Sequence, residues 1–316
     1  MTGYILRRIC QAVIVLLLAY TLAFFLLSAL PSDGVAARYA DPALGLSNAE
    51  IEQIRQQMGV DKPLIEQYFT TLGGLFTGNL GYSVASGTPV ASLIVEAAPH
   101  TLALAATSIG LAVIVALLTA YVATLPGAGA VRSAFRTLPS LMVSLPGFWI
   151  AILLLQVFSF RLGWVNVVQP TPWEGILLPT LTLLVPMAAP LMQVLIRSID
   201  EVQAQPFIQV LRARGASESR IFWRDALRNA LLPTITMAGL LFGELIGGAV
   251  VTETVFGRAG LGSLTVNAVS SRDMPVLLGV VLIAATAYVI INLAVDLLYP
   301  VLDVRLRETR EKEPTA

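Results

Sequence analysis

The chain is short of the residues that most chemical sites need. Among 316 residues there is one cysteine, Cys10, and one histidine, His100. A single thiol forms no intrachain disulfide and builds no cysteine-rich zinc cage. A single imidazole excludes the H-E-x-x-H pattern and every two-histidine metal site. Lys62 and Lys312 are the two lysines, and neither follows glycine, so no G-x-x-x-x-G-K-[ST] phosphate loop exists. The chain is therefore not read as an ATPase: if ATP is used, another chain hydrolyses it. Charge is scarce too, at 13% of residues against roughly 25% in a soluble domain. Twenty Lys and Arg balance twenty Asp and Glu, which leaves no basic excess for nucleic acid.

What is abundant is apolar surface: 56% of residues are hydrophobic and the mean hydropathy is +0.78. A bilayer core of about 30 Å needs about 20 apolar residues in helix, because hydrocarbon offers the backbone no outside hydrogen-bond partner. Charge-free runs of 24, 35, 24 and 22 residues occupy Ile9–Ser32, Ala97–Val131, Thr137–Phe160 and Gly175–Ile196. Asn229–Thr252 is a fifth span if Glu244 is tolerated, and Met274–Leu302 a sixth if Asp296 is. The expectation is an all-α membrane protein with six transmembrane helices. The first run follows Arg7 and Arg8 as a signal peptide would, but it exceeds the roughly 7–15 apolar residues of a signal and reads as a retained anchor. With the N-terminus placed in the cytoplasm, fourteen of the twenty basic residues fall inside and six outside, so both termini are read as cytoplasmic.

This topology divides the chain into an N-terminus and first span (1–32), an extracytoplasmic segment (33–99), a core of spans two to six (100–302), and a cytoplasmic tail (303–316). The large first outer loop has its own helix signals. Ser47-Asn48-Ala49-Glu50 forms a capping box, followed by Ile51, Ile54 and Met58 on one face and Gly59 as a stop. Pro63 opens a second helix, whose stripe of Leu64, Tyr68, Leu72 and Leu75 runs to Gly78. Short amphipathic helices of this kind lie on a membrane surface or on their own spans, with contact to a soluble partner as the alternative.

The cytoplasmic segment between spans four and five, Ser198–Arg228, is rich in arginine and broken by Pro206 and Gly215. Phe207, Val210 and Leu211 form an apolar strip beside Arg212 and Arg214, and Ile221, Phe222 and Trp223 form a second cluster. Apolar groups beside arginines on a helix–turn–helix suit docking into a partner's groove; a solvated loop whose arginines only set topology is the plainer alternative.

The run Phe207-Ile208-Gln209-Val210-Leu211-Arg212-Ala213-Arg214-Gly215-Ala216-Ser217, followed by Ala226-Leu227-Arg228-Asn229-Ala230-Leu231-Leu232-Pro233, resembles the coupling motif of binding-protein-dependent ABC importer permeases. The likeness is to the first-permease branch of the dipeptide, oligopeptide and nickel family. It extends through Tyr4–Arg8, Met58–Pro63, Gly78–Ser83, Gly247–Phe256 and Asn292–Arg305, nearly the whole chain in order. Departures include Gln209-Val210-Leu211 for Arg-Thr-Ala, Arg214 for Lys, Asp225 for His, Ala259 for Pro and Val304 for Pro. They bear on the choice of partner and substrate subgroup rather than on the family.

The resemblance implies a permease forming half of a pathway for peptides or similar small solutes, with nickel, a metal chelate or a glycoside as other cargo. It implies a second homologous permease, two nucleotide-binding ATPase subunits that hold the ATP and Mg, and an extracytoplasmic substrate-binding protein. No cofactor is expected in this chain. The setting is the lipid bilayer of a bacterial or archaeal cytoplasmic (inner) membrane. ATPase coupling falls to the cytoplasmic helix around Phe207, Arg212, Ala213, Arg214, Gly215, Ala216 and Ser217.

Ionisable groups at membrane depth cost roughly 2.5–3.5 kcal/mol on insertion scales and usually face a partner or a path. Glu244, among Gly239, Gly243, Gly247 and Gly248, is either a pathway residue or hydrogen-bonded to a neighbouring helix. Asp296, near the cytoplasmic end of span six, reads as structural. Two rival classes stay open at this point. A secondary transporter needs related halves, of which the sequence gives no sign. An intramembrane hydrolase needs a nucleophile with a base, and the lone His100 beside Pro99 makes a weak one.

Overall fold

The computed structural model describes residues 2–29, 47–58, 61–127 and 129–302, together with Val35 and Tyr39. The tail read as cytoplasmic from residue 303 and the helix stop at Gly59 lie outside the described residues. Among the described residues the regular structure is helical, apart from one antiparallel bridge between Tyr82 and Pro89.

Helix α1 spans Thr2–Ser28. Two short helices follow, α2 (Asn48–Met58) and α3 (Leu64–Phe76). The capping box is formed: the Ser47 N–H donates to Glu50 Oε2 at 2.8 Å, and the Glu50 N–H donates back to Ser47 Oγ at 3.3 Å. Two backbone donors that the first helical turn leaves over are thereby satisfied.

Helix α4 runs from Val90 to Thr124 with Pro99 inside it. It begins before the charge-free run and stops before that run ends, because Pro126 and the left-handed Gly127 (φ 82°) do not continue a helix.

The third apolar run is broken. The charge-free run Thr137–Phe160 falls on two helices, α5 (Gly129–Val143) and α6 (Gly147–Leu154), the latter continuing through a π-helical stretch at Leu155–Arg161. The two halves bend by 100° at the break. Pro146 supplies the reason: it donates no backbone hydrogen bond and steers Leu145 out of helical geometry. Five single helices are long and apolar enough to cross a membrane, and counting the bent pair as one crossing makes six.

Helix α7 (Glu174–Gln203) is continuous through Pro179, Pro186 and Pro190 and reaches beyond Ser198, shortening the loop expected there. Helix α8 (Pro206–Ala213) follows. Helix α9 (Glu218–Arg220) is not a separate short element. It merges through a π-helical segment, Ile221–Ala226, into α10 (Leu227–Val255). Helices α11 (Leu261–Ser270) and α12 (Met274–Leu302) complete the order.

The helices group into two packing units. One comprises the described residues of 1–102 with 257–289. There Val90 and Ile94 of α4 pack with Ala268, Val276, Leu277 and Val280. Gly279 permits the approach, since a Cβ at that position would lie 2.8 Å from Val90 Cγ1. The other unit comprises the described residues of 103–256 with 290–302. Small residues allow close packing there too: a Cβ at Gly239 would meet Val295 at 3.2 Å, and one at Gly248 would meet Leu183 at 3.1 Å.

Candidate coupling site and pathway face

The site most legible in the sequence is built by local rules. Pro206 occupies the first turn of α8, where its missing N–H costs nothing. At the other end the Gly215 N–H donates to the Arg212 carbonyl at 2.9 Å, and the Ala216 N–H donates to the Leu211 carbonyl at 3.1 Å. With Gly215 left-handed at φ 80°, this is a Schellman stop. Ser217 then caps the next helix, its Oγ accepting from the Arg220 N–H at 3.3 Å. Glycine ends one helix and serine starts the next within three residues.

Arg212 closes the corner. Its Nε and Nη2 donate to the two Glu218 carboxylate oxygens at 2.8 and 3.0 Å. The carboxylate beside it holds the guanidinium pKa above its ordinary value. Arg212 is thus engaged within the turn, whereas Arg214 is exposed and its side chain makes no hydrogen bond or ion pair among the described residues.

The apolar residues divide in a way their spacing did not show. Ile208, Ile221 and Phe222 are buried and hold the turn onto the protein. Phe207 (44% exposed), Val210 (51%) and Trp223 (44%) remain on the surface, with Ala213 and Gly215 exposed beside them and Ala216 half-buried.

Both flanks of this turn reach the end of α4. On the approaching side Asp200 of α7 accepts from Arg136 Nη2 at 2.7 Å, while Arg136 Nε donates to the Ala123 carbonyl at 2.9 Å. On the leaving side Phe222 and Trp223 contact Tyr121, with ring centroids 5.0 and 5.7 Å away. Sequence reasoning missed this bracket. Arg136 and Asp200 are 64 positions apart and Tyr121 lies among unremarkable apolar neighbours, so no local pattern links them.

On α10, Leu240, Glu244, Gly247 and Val251 recur at intervals of four, three and four residues and are all exposed, forming one face. The Glu244 carboxylate has no hydrogen-bond or ion-pair partner among the described residues. Asp296 is half-buried on α12 and is not free of polar interaction. Two buried carboxylates escaped notice. Glu253 is wholly buried within α10. Asp273 is buried before α12, where its Oδ2 accepts from Ser83 Oγ at 2.5 Å and from the Ala85 N–H at 3.1 Å. An aspartate immediately before the Met274-Pro275 helix start was a readable cap signal for the second.

Apolar crossing helices with an exposed, arginine-bearing turn between two of them, and a span face carrying a carboxylate, define a multi-pass membrane transport subunit. The chain belongs to the binding-protein-dependent transport permeases. Residues 112–308 match the family described as binding-protein-dependent transport system inner membrane component, and residues 1–105 match its N-terminal membrane component. The chain is 34% identical over 310 residues to the glutathione transport system permease protein GsiC of Escherichia coli K12, covering 97% of this chain and 99% of the relative. It is 36% identical, with the same coverage, to GsiC of Pectobacterium atrosepticum. Among solved structures the inward-facing MetNI methionine ABC transporter aligns over 67% of this chain and 96% of its own, with a TM-score of 0.55 and 18% identity. At that identity the likeness establishes the fold. The protein is an ABC importer permease of the inner membrane, in the peptide and nickel branch. Such a permease works with ATPase and substrate-binding partners.

Proposed function

We propose that this chain forms one half of an import pathway for short peptides, paired with a second homologous permease and driven by two ATPase subunits that dock on α8 and its turn. The observation that carries the reading is the split of α8 into a buried anchor, Ile208, and an exposed strip of Phe207, Val210 and Arg214. A partner groove takes up such a strip by burying its apolar side chains and pairing its free cation. Arg212, spent on Glu218, shapes the turn instead of meeting the partner. Ala213, Gly215, Ala216 and Ser217 set its geometry. ATP and Mg belong to the ATPase subunits, and this chain performs no chemistry of its own.

Motion of α8 has two routes into the spans, through Asp200–Arg136 and through Phe222/Trp223–Tyr121, and both end on α4. In this reading α8 is cytoplasmic, both termini lie on the same side, and a substrate-binding protein delivers cargo to the opposite face. The Glu244 face lines the path or meets the second permease, because a carboxylate left against lipid carries the insertion cost given above. Asp296 stays structural. The likeness to glutathione permeases supports a peptide cargo of about that size.

The deciding experiment is purification of the native complex with measurement of peptide-stimulated ATPase activity. Recovery of two ATPase subunits and a second permease, with stimulation abolished by Val210→Asp, is the expected result. A permease that transports as a homodimer without ATPase subunits contradicts it.

A further inference from the structure

We infer that α3 is immersed in the bilayer leaflet at the Ser28 end of α1, with Ile65, Phe69 and Phe76 against lipid acyl chains. The leaflet is fixed by α1 itself, so the inference does not depend on the transported solute or on ATPase docking.

Depth comes first. Tyr68 of α3 packs on Tyr20, Phe24 and Phe25 of α1, with ring centroids 5.5, 5.4 and 5.6 Å apart. At 1.5 Å per residue, Tyr20 lies about 12 Å below Ser28 along the α1 axis. The whole of α1 beyond Arg8 is free of charge. The side of α3 seated beside residues 20–25 of that span is therefore within hydrocarbon depth, with the exposed Lys62–Glu66 pair on its water side.

Polar pairing agrees with that depth. Thr21 Oγ1 and Tyr68 Oη are 2.9 Å apart, and Tyr20 Oη donates to the Tyr68 carbonyl at 3.3 Å. Each phenol thus has a partner inside the protein, which water would make unnecessary and lipid makes obligatory.

The faces of α3 say what covers it. Tyr68, Leu72 and Leu75 point to α1 and Leu278. Glu66, Gln67 and Thr70 fall on a second side, where Glu66 pairs with Lys62 at 2.7 Å. The third side holds Ile65, Phe69 and Phe76, within an arc of about 40° at 100° per residue. These three are 67%, 63% and 84% exposed. The surface is continuous with the lipid face of α1. Phe25 stacks on Tyr68 while itself lying among the exposed Leu18, Leu22 and Leu26. The acyl chains that cover those leucines extend over Ile65 and Phe69, so α3 acts as a lipid-embedded collar that steadies α1.

The test uses the assembled transporter in lipid nanodiscs, in a Cys10→Ser background, with nitroxide labels at single cysteines. Ile65→Cys, Phe69→Cys and Phe76→Cys are compared with Leu22→Cys as the lipid reference and Glu66→Cys as the water reference. Collision rates with oxygen and with a neutral nickel chelate give a depth-sensitive ratio. The expected result is a ratio at two or more of the three positions matching Leu22 and several-fold above Glu66. A ratio equal to that of Glu66 overturns the inference, as does suppression of both collisions, which would mean that protein covers the face. Three independently labelled positions keep the test decisive if one variant fails to assemble.

Discussion

Arg136 binds Asp200 through a 2.7 Å salt bridge and, through its Nε, the carbonyl of Ala123 at 2.9 Å, so one guanidinium joins the ends of α4 and α7 to α5. The pair is one-third exposed, and solvent screening limits its contribution to about 1 kcal/mol. If α8 docks on the ATPase as proposed, its position six residues before Pro206 gives it more weight in coupling than in stability.

Arg136→Gln and Asp200→Asn should therefore leave the complex assembled, lowering thermal stability by about 1 kcal/mol at most. The number of solute molecules transported per ATP hydrolysed should fall several-fold. The exchange Arg136→Asp with Asp200→Arg should recover part of that ratio. Parallel uptake and phosphate-release assays check this, and an unchanged ratio in all three variants would exclude the relay.

Gly215 is left-handed with open space around its Cα, so substitution strains the backbone without a clash. Gly215→Ala should cost about 1 kcal/mol, and Gly215→Asn less, because asparagine tolerates that conformation better. Stimulated ATPase activity should rank glycine above asparagine above alanine. An equal rate for all three would separate turn geometry from coupling.

Glu244→Gln removes charge while keeping shape. If the exposed carboxylate faces a water-filled path, its attraction for a cationic group is worth about 1 kcal/mol at ~4 Å in water. Uptake of basic peptides should fall roughly fivefold relative to acidic ones, at constant complex abundance. Equal effects on acidic, neutral and basic peptides would assign Glu244 to packing.

Asp273 holds the segment around Ser83 against the start of α12 through three acceptor contacts, from Ser83 Oγ, the Ala85 N–H and, at 3.4 Å, the Val276 N–H. Asp273→Ala strands buried donors and removes a cap, for a loss of about 3 kcal/mol. Asp273→Asn, which keeps one acceptor, should lose less. Thermal unfolding of the purified complex measures both, and a silent alanine variant would refute the assignment.

Glu50 gives the pH prediction. The Ser47 N–H, then the Ser47 hydroxyl, hold its carboxyl below the ordinary value of 4.5. A depressed folded-state value means the capping box stabilises α2 fully above pH 4.5 and is lost as pH falls through the lower, folded-state value. Amide protection over α2 should weaken in that acid window in the wild type, and Glu50→Gln should lack this step in matched hydrogen-exchange series. An identical pH profile for the two would show that the box does not hold the helix.

Local signals were read correctly where the chemistry is local. Ser47 with Glu50, Pro63 before α3, and the breaks at Pro206 and Gly215 each start or stop a helix with groups a few residues apart. The third apolar run was legible as a span but not in its path. Its hydropathy was sufficient, but Pro146 broke the helix, and composition carries no direction for the chain after a break. Likewise Ile221 and Phe222 looked equivalent to Trp223 in an apolar cluster, until the path of α9 into α10 buried two and exposed the third.

By itself the sequence determined that the protein lives in a membrane, because long runs of uncharged apolar residues have no other stable solvent. It also set the turn between α8 and α9, since glycine takes the left-handed position without strain and serine is a favoured helix cap. Tertiary structure alone decided which side chains of that turn face outward and which arginine is spent internally. It alone brought Arg136 to Asp200, Tyr121 to Phe222, and Ser83 to Asp273. Those pairs depend on how distant helices cross, which is fixed by shape complementarity over many weak contacts that no short stretch of sequence encodes.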